Sequence, residues 1–444
     1  MLVEVRKMIE LHGRGMKDAS MPLCNVHSLS PFTFGLEYGP PVHGTWNIVH
    51  VGMLIPESHQ IFVCAQSCLR GVVLTAAEMN ATDRFSTVAI EEHNVLDGDL
   101  EDMLIEGVSD ICKRLEPKPR AMMVYTSCIH HFTGCDLGMI YTELRKRFPE
   151  IDFTDCYMTP ILRKSGITPD EQMRKQLYSF LKMQDKDDGI NIIGNVFSLD
   201  TDCEIIKMIK QSGRKLRQIT EVKSYDQYMQ MGKSSLNIVT GPVSLKSGEE
   251  LKKRLGQPYI YIPHSYNYME LDENLKSFAS LLKIEVADTK QLHKNADEAL
   301  DKAKSVVGDT PIAIDYTAVT RPLGLAMLLL QHGFNVTDLY LDAITQEESE
   351  TFYKLKENYP NIILSSPSHP AMRVAPRNEK HFLAIGQKAA YYKGTDNFVN
   401  VVENDNMHGY SGICKLCDKI SNAYTYKKDH KSIVQIKGWG CNCK

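Results

Sequence analysis

The sequence predicts an α/β protein with three Rossmann-like parallel-sheet domains around a central crevice. Three observations predict it. Short apolar runs of strand length alternate with amphipathic helical patterns, which implies parallel strands covered by helices. This alternation is long enough for three successive units. The 444 residues also exceed what one ordinary core holds.

Taken in order, "MLVEVRKMIELHGRGMKD" reads as an amphipathic helix, because charges within its first residues interrupt the apolar run a secretory signal needs. "DLEDMLIEGVSDICKRL" (99–115) spaces Leu100, Leu104, Val108 and Leu115 as a helix, with acids at its start and Lys113 and Arg114 at its end. The continuous apolar run "AMMVYTS" (121–127) follows as a strand, then "LGMIYTELRKRF" (137–148) as a helix. Strands at 190–194, 235–239 and 259–263 alternate with helices at 201–211 and 247–255. The Lys-rich stretch 288–310 is expected to be a helix crossing to another domain. A third unit combines strands at 311–315, 335–341, 361–365 and 381–385 with a helix at 321–333. The expected domains are 1–160, 161–290 and 291–405, with 406–444 as a terminal helix and Cys-rich tail.

Composition narrows the function. Apolar residues make up 43%, charged residues 24%, and the net charge is -4, as in a soluble globular protein without a bias toward nucleic acid. The densest apolar stretch, "LGLAMLLL", falls well short of the roughly 20 residues of a membrane span. Twelve cysteines without an export signal point to a reducing compartment, the cytoplasm, where thiols bind metal or do redox chemistry.

Nucleotide binding finds no support. "MGKSSLNIV" has Gln227 where a phosphate loop needs glycine, and its strand follows the Gly-Lys pair instead of preceding it. No G-x-G-x-x-G follows a strand. The thiols carry the chemistry instead. Cys24 opens a long loop; Cys64 and Cys68 flank "AQS" after an apolar run; Cys128 ends the strand 121–127, in the crevice where open α/β sheets bind ligands. Thiolate is a soft ligand suited to iron–sulfur chemistry. Cys24, Cys68 and Cys128 are the main metal candidates, Cys64 and Cys135 are balanced between ligand and packing, and Cys112, Cys156 and Cys203 read as small buried hydrophobes.

The C-terminal "CKLC" and "GWGCNCK" place Cys414, Cys417, Cys441 and Cys443 at spacings that suit a zinc site or a [4Fe–4S] cluster. His130 and His131 read as a packed or surface pair at a helix start. His43, His50 and His59 fall in the stretch "PPVHGTWNIVHVGMLIPESHQ", which reads as a loop.

"MPLCN", "AQSCLRG" and "VYTSCIHHFTGCDL", in that order, resemble the three cysteine segments of the nitrogenase component 1 type oxidoreductases, with weaker similarity in "GINIIGNVFSLDTDCEIIKMIKQSG" and "NMHGYSGI". The resemblance implies that Cys24, Cys68 and Cys128 ligate a cluster, either [4Fe–4S] or P-cluster-like. It implies a subunit interface with a second copy or a paralogue, and a docked ATP-dependent [4Fe–4S] reductase akin to the nitrogenase iron protein. Cys135 stands where relatives carry an acid, and Cys64 is additional. Gly241 and Val399 stand where the α chain's cofactor-binding Cys and His are expected, so no ligands for a FeMo-type cofactor are found and dinitrogen reduction is not expected. The expected function is a nitrogenase-like iron–sulfur oxidoreductase subunit of unknown substrate. A cluster-assembly scaffold or carrier and a structural zinc protein are the alternatives.

Overall fold

The computed structural model describes residues 18–33, 35–159, 167–375 and 381–434. The N-terminal helix expected from the sequence lies outside them, as do Cys441 and Cys443. The chain forms two compact units, one of Trp46–Ser198 with Ile209–Pro263, the other of Met1–Thr45, Leu199–Met208 and His264–Lys444. Strand β1 (Ser20–Pro22) belongs to the second of these.

The unit starting at Trp46 carries two four-stranded sheets. In the first, β2 (Ser58–Ala65), β3 (Phe85–Ile90), β4 (Ala121–Ser127) and β5 (Asp152–Met158) lie in the order β3-β2-β4-β5, all parallel. Every residue of β4 is buried, because helices cover both faces of the sheet and each face needs apolar cover. The pleat divides the strands between two cores. Phe62, Cys64, Met123 and Tyr125 enter one, Ile61, Val63, Met122 and Val124 the other. Phe62 and Tyr125 stack with centroids 4.0 Å apart. The helix Leu100–Arg114 buries Leu100, Leu104, Val108 and Cys112 on one face, as its periodicity predicted.

The second sheet repeats the plan: β6 (Ile190–Ile193), β7 (Leu216–Gln218), β8 (Leu236–Val239) and β9 (Tyr259–Tyr261) run parallel in the order β7-β6-β8-β9. It shares a core with the first sheet through Ile193, Val239, Tyr225 and Tyr228. The Gly232–Lys233 pair lies in a 3-10 turn ahead of β8.

The other unit holds a six-stranded sheet. Strands β10 (Pro311–Asp315), β11 (Asn335–Tyr340), β12 (Ile363–Ser365), β13 (Leu383–Ile385) and β14 (Phe398–Val399) are parallel, and β1 closes one edge antiparallel to β12. The Lys-rich stretch forms the helix Thr289–Val307, which packs against the helix Gly409–Thr425 inside this unit. Residues 199–208 belong here because Glu204 accepts the Ser411 N–H (2.9 Å) in the first turn of Gly409–Thr425, and Asp200 pairs with Lys415.

Glu348 offers a pH test of this unit. Its buried carboxylate accepts the Gly324 N–H at 2.8 Å, and burial pushes its pKa from 4.5 to about 7. The folded state therefore holds the proton more tightly than the unfolded state. The stability this confers is complete below the unfolded value and is lost as pH rises through about 7. Glu348→Gln, which keeps an acceptor, is expected to remove a pH dependence of about 3 kcal/mol between roughly pH 5 and pH 8. Urea unfolding of both proteins at the two pH values checks this.

Candidate metal centre

In a doubly wound sheet the crevice opens where neighbouring strands send their connections to opposite faces, at the carboxyl ends. That point falls between β2 and β4, between β6 and β8, and between β10 and β13. The second is occupied by hydrogen-bonded protein groups: Arg174 donates to the Gly194 carbonyl at 2.7 Å, and Thr240 pairs with Asn195. In the third, the Asp315 carboxylate accepts the Thr317 N–H at 2.9 Å, the Thr317 hydroxyl at 2.5 Å and the Ala389 N–H at 2.8 Å.

The first crevice carries thiols. Cys64 lies near the end of β2. Cys68 sits in the first turn of the following helix, Gln66–Glu78, and Cys128 is the first residue of the short helix Cys128–Thr133, directly after β4. The three are close enough for the charges of Cys68 and Cys128 to raise the pKa of Cys64, although burial is the larger cause, and together they push it up to about 12. Cys68 is exposed, Cys128 half-buried and Cys64 buried; all three are free thiols.

Local sequence explains the turn that holds Cys128. Ser127 caps the helix, and His130 returns a hydrogen bond, its Nδ1 accepting the Ser127 N–H at 3.2 Å. Gly134, at φ 71°, ends the helix. Burial lowers the His130 pKa. The packed reading of His130 therefore holds, and its capping role was legible in the Ser-x-x-His spacing.

The remaining candidates separate. Cys24 lies in the other unit, exposed on a 3-10 turn after β1, with its N–H donating to the Pro360 carbonyl at 3.1 Å. Cys135 packs with the core on the opposite sheet face from Cys64, its sulfur 3.3 Å from the Thr133 hydroxyl. It borders a cavity of about 400 Å³ shared with Thr126, His130, Tyr157 and Gln172. Asp136, next to it, caps the helix Leu137–Arg147 by accepting the Met139 N–H at 2.9 Å. Cys112, Cys156 and Cys203 are fully buried, as their apolar reading requires.

Cys414 and Cys417 lie in one helix, Gly409–Thr425. Cys417 packs with Ile413 and Ile420 in the buried face, and burial pushes its pKa up to about 12; the half-buried Cys414 donates to the Asn295 carbonyl at 3.6 Å.

The histidine-rich stretch expected to be a loop is partly ordered secondary structure, a correction to the sequence reading. Asn47 and His50 form a capping box on the helix Ile48–Gly52. His59 lies in β2, bonded to the Ser86 hydroxyl at 2.7 Å, and burial and the Arg84 charge lower its pKa to about 4. Loop composition hid these roles because the Gly and Pro residues flank a helix of only five residues. Gly241 follows β8 at its crevice, and Val399 is buried in β14.

Comparison with known proteins gives concordant results. The family model for nitrogenase component 1 type oxidoreductases matches residues 49–425. Among solved structures, "Nitrogenase Cp1 at pH 6.5" superposes with a TM-score of 0.65 at 15% identity, covering 88% of this chain and 94% of that one. "Nitrogenase Cp1 at pH 5" does so with a TM-score of 0.59 at 13% identity, covering 93% and 94%. At these identities the likeness is one of fold. No curated protein matches the chain by sequence.

Proposed function

Because the chain belongs to the nitrogenase component 1 type oxidoreductases, we propose that it is an iron–sulfur oxidoreductase subunit. In this reading Cys68 and Cys128 ligate a cluster, [4Fe–4S] or P-cluster-like, and Cys24 is the further ligand assigned from the family resemblance. The observation that carries the proposal is the convergence of Cys64, Cys68 and Cys128 at the carboxyl-end crevice between β2 and β4.

The donor set fits such a group. Its thiols are soft, unbridged and graded in exposure, whereas the corresponding crevices of the other sheets hold oxygen and nitrogen groups already paired with one another. A bound iron–sulfur cluster would supply one-electron redox chemistry. The protein's part is to hold the sulfur donors on rigid elements: β4 and the Ser127 cap fix Cys128, and β2 with the helix Gln66–Glu78 fixes Cys68. Cys64, wholly buried in the core, acts as a packing residue in this reading. Cys135 turns to the opposite core, and Cys414 and Cys417 serve the helix that carries them.

The partner is an ATP-dependent [4Fe–4S] reductase, and the subunit works in the cytoplasm with a second copy or a paralogous chain. Anaerobic purification followed by iron, sulfide and EPR analysis tests the cluster. A chain that takes up no iron on reconstitution overturns it. Addition of such a reductase is expected to reduce the cluster only when MgATP is present. Stoichiometric transfer of the cluster to an apo-acceptor, without ATP-linked reduction, would instead make the chain a carrier.

A further inference from the structure

Away from the thiols, three side chains with metal-ligating atoms meet from separate parts of the six-stranded unit. Asp396 lies between the helix Gln387–Lys393 and β14, while Asp429 and His430 open the turn that follows the helix Gly409–Thr425. One ligand atom of each lies within 4.8 Å of the other two.

The backbone holds this arrangement from several directions. The Lys428 N–H donates to the Asp396 carbonyl at 2.8 Å. The His430 N–H donates to Asp396 Oδ1 at 3.1 Å, and His430 Nδ1 stands 2.6 Å from the same oxygen. Asp429 caps the turn by accepting the Lys431 N–H at 2.9 Å. The imidazole is largely covered, at 17% exposure, while the Asp396 side chain is 45% exposed and keeps an open side to solvent. Lys428 places its ammonium over the Phe398 ring, 5.6 Å from the centroid.

We propose that Asp396, Asp429 and His430 form a site for a divalent first-row cation. It is held by His430 Nδ1 and one oxygen from each carboxylate, with water completing the coordination on the exposed side. One imidazole and two carboxylates are a hard-to-borderline set, chemically distinct from the thiols proposed for iron–sulfur binding. Two carboxylate charges match the charge of the cation. Coordination would replace the His430–Asp396 hydrogen bond with bonds that also engage Asp429, clasping the segment after the last long helix to the connection before β14.

Mn²⁺ is the probe, because it favours carboxylate and water oxygens over the chain's many thiols. Equilibrium dialysis of the full-length protein is expected to show one saturable Mn²⁺ per chain. Asp429→Asn, at an exposed position, and His430→Gln are each expected to weaken binding by at least the roughly tenfold that loss of even an outer-shell partner costs. Cys414→Ser and Cys417→Ser are expected to leave it unchanged. Non-saturable uptake, or equal affinity in wild type and in an Asp429→Asn variant with unchanged far-UV circular dichroism, overturns the proposal in favour of a plain hydrogen-bonded turn.

Discussion

Replacing Cys128 by Ser is expected to abolish the iron–sulfur signal while leaving a folded protein. Cys128 is half-buried at the crevice rim and its cap does not use the thiol, since Ser127 and His130 supply those hydrogen bonds. Serine therefore fits the backbone, but its hard hydroxyl replaces a soft thiolate. The loss of iron, and of reductase-dependent electron uptake, should exceed the roughly 10- to 100-fold that outer-shell changes cost. Cys68→Ser should behave alike. Cys112→Ser is the control: it places a hydroxyl in an apolar core, costing about 1–3 kcal/mol of stability without touching the crevice. Iron and sulfide content per folded chain, set beside urea midpoints, separates the two outcomes. If Cys128→Ser keeps its iron and Cys112→Ser loses it, the assignment of the crevice fails.

Gly386→Ala should be among the most damaging single-methyl additions to the six-stranded unit. Gly386 follows β13 with φ 107°, a left-handed conformation that side chains rarely adopt, and a Cβ there would meet Asp315 at 2.8 Å or less. That carboxylate cannot step aside, because it is wholly buried and accepts three hydrogen bonds from Thr317 and Ala389. Backbone strain and overpacking each cost about 1–3 kcal/mol, so a total of about 2–6 kcal/mol is expected. Urea unfolding of the variant measures it. Gly213→Ala offers a comparison, since that glycine has a positive φ of 71° but open space around it, and it should show only the strain part.

Much of the fold was legible because parallel strands are buried on both faces. β4 and β10 read directly as apolar runs, and the helix Leu100–Arg114 lies within one residue at each end of its predicted span. The three-residue strands β1 and β7 are too short to carry a period, so β7 passed unseen and β1 was read only as the residues before Cys24, whereas the equally short β12 was read because it lies in the apolar run 361–365. The two-residue β14 is held by its pairing with β13, a contact no local pattern encodes.

The sequence by itself determined which residues have metal chemistry to offer and that Cys128 lies at the carboxyl end of a strand, since residue type and the change from strand to helix pattern are local properties. It also carried the segment order that resembles the family to which the chain belongs. Only the tertiary structure decided the neighbours. Strand order brought the ends of β2 and β4 together and so grouped Cys64, Cys68 and Cys128, while the turn that ends the helix Cys128–Thr133 placed Cys135 against the opposite core. It likewise joined Asp396 to Asp429 and His430 across the length of a helix. The physical reason is that sheet pairing and helix packing are non-local. They are set by which buried faces fit one another, and the spacing of residues along the chain does not record that choice.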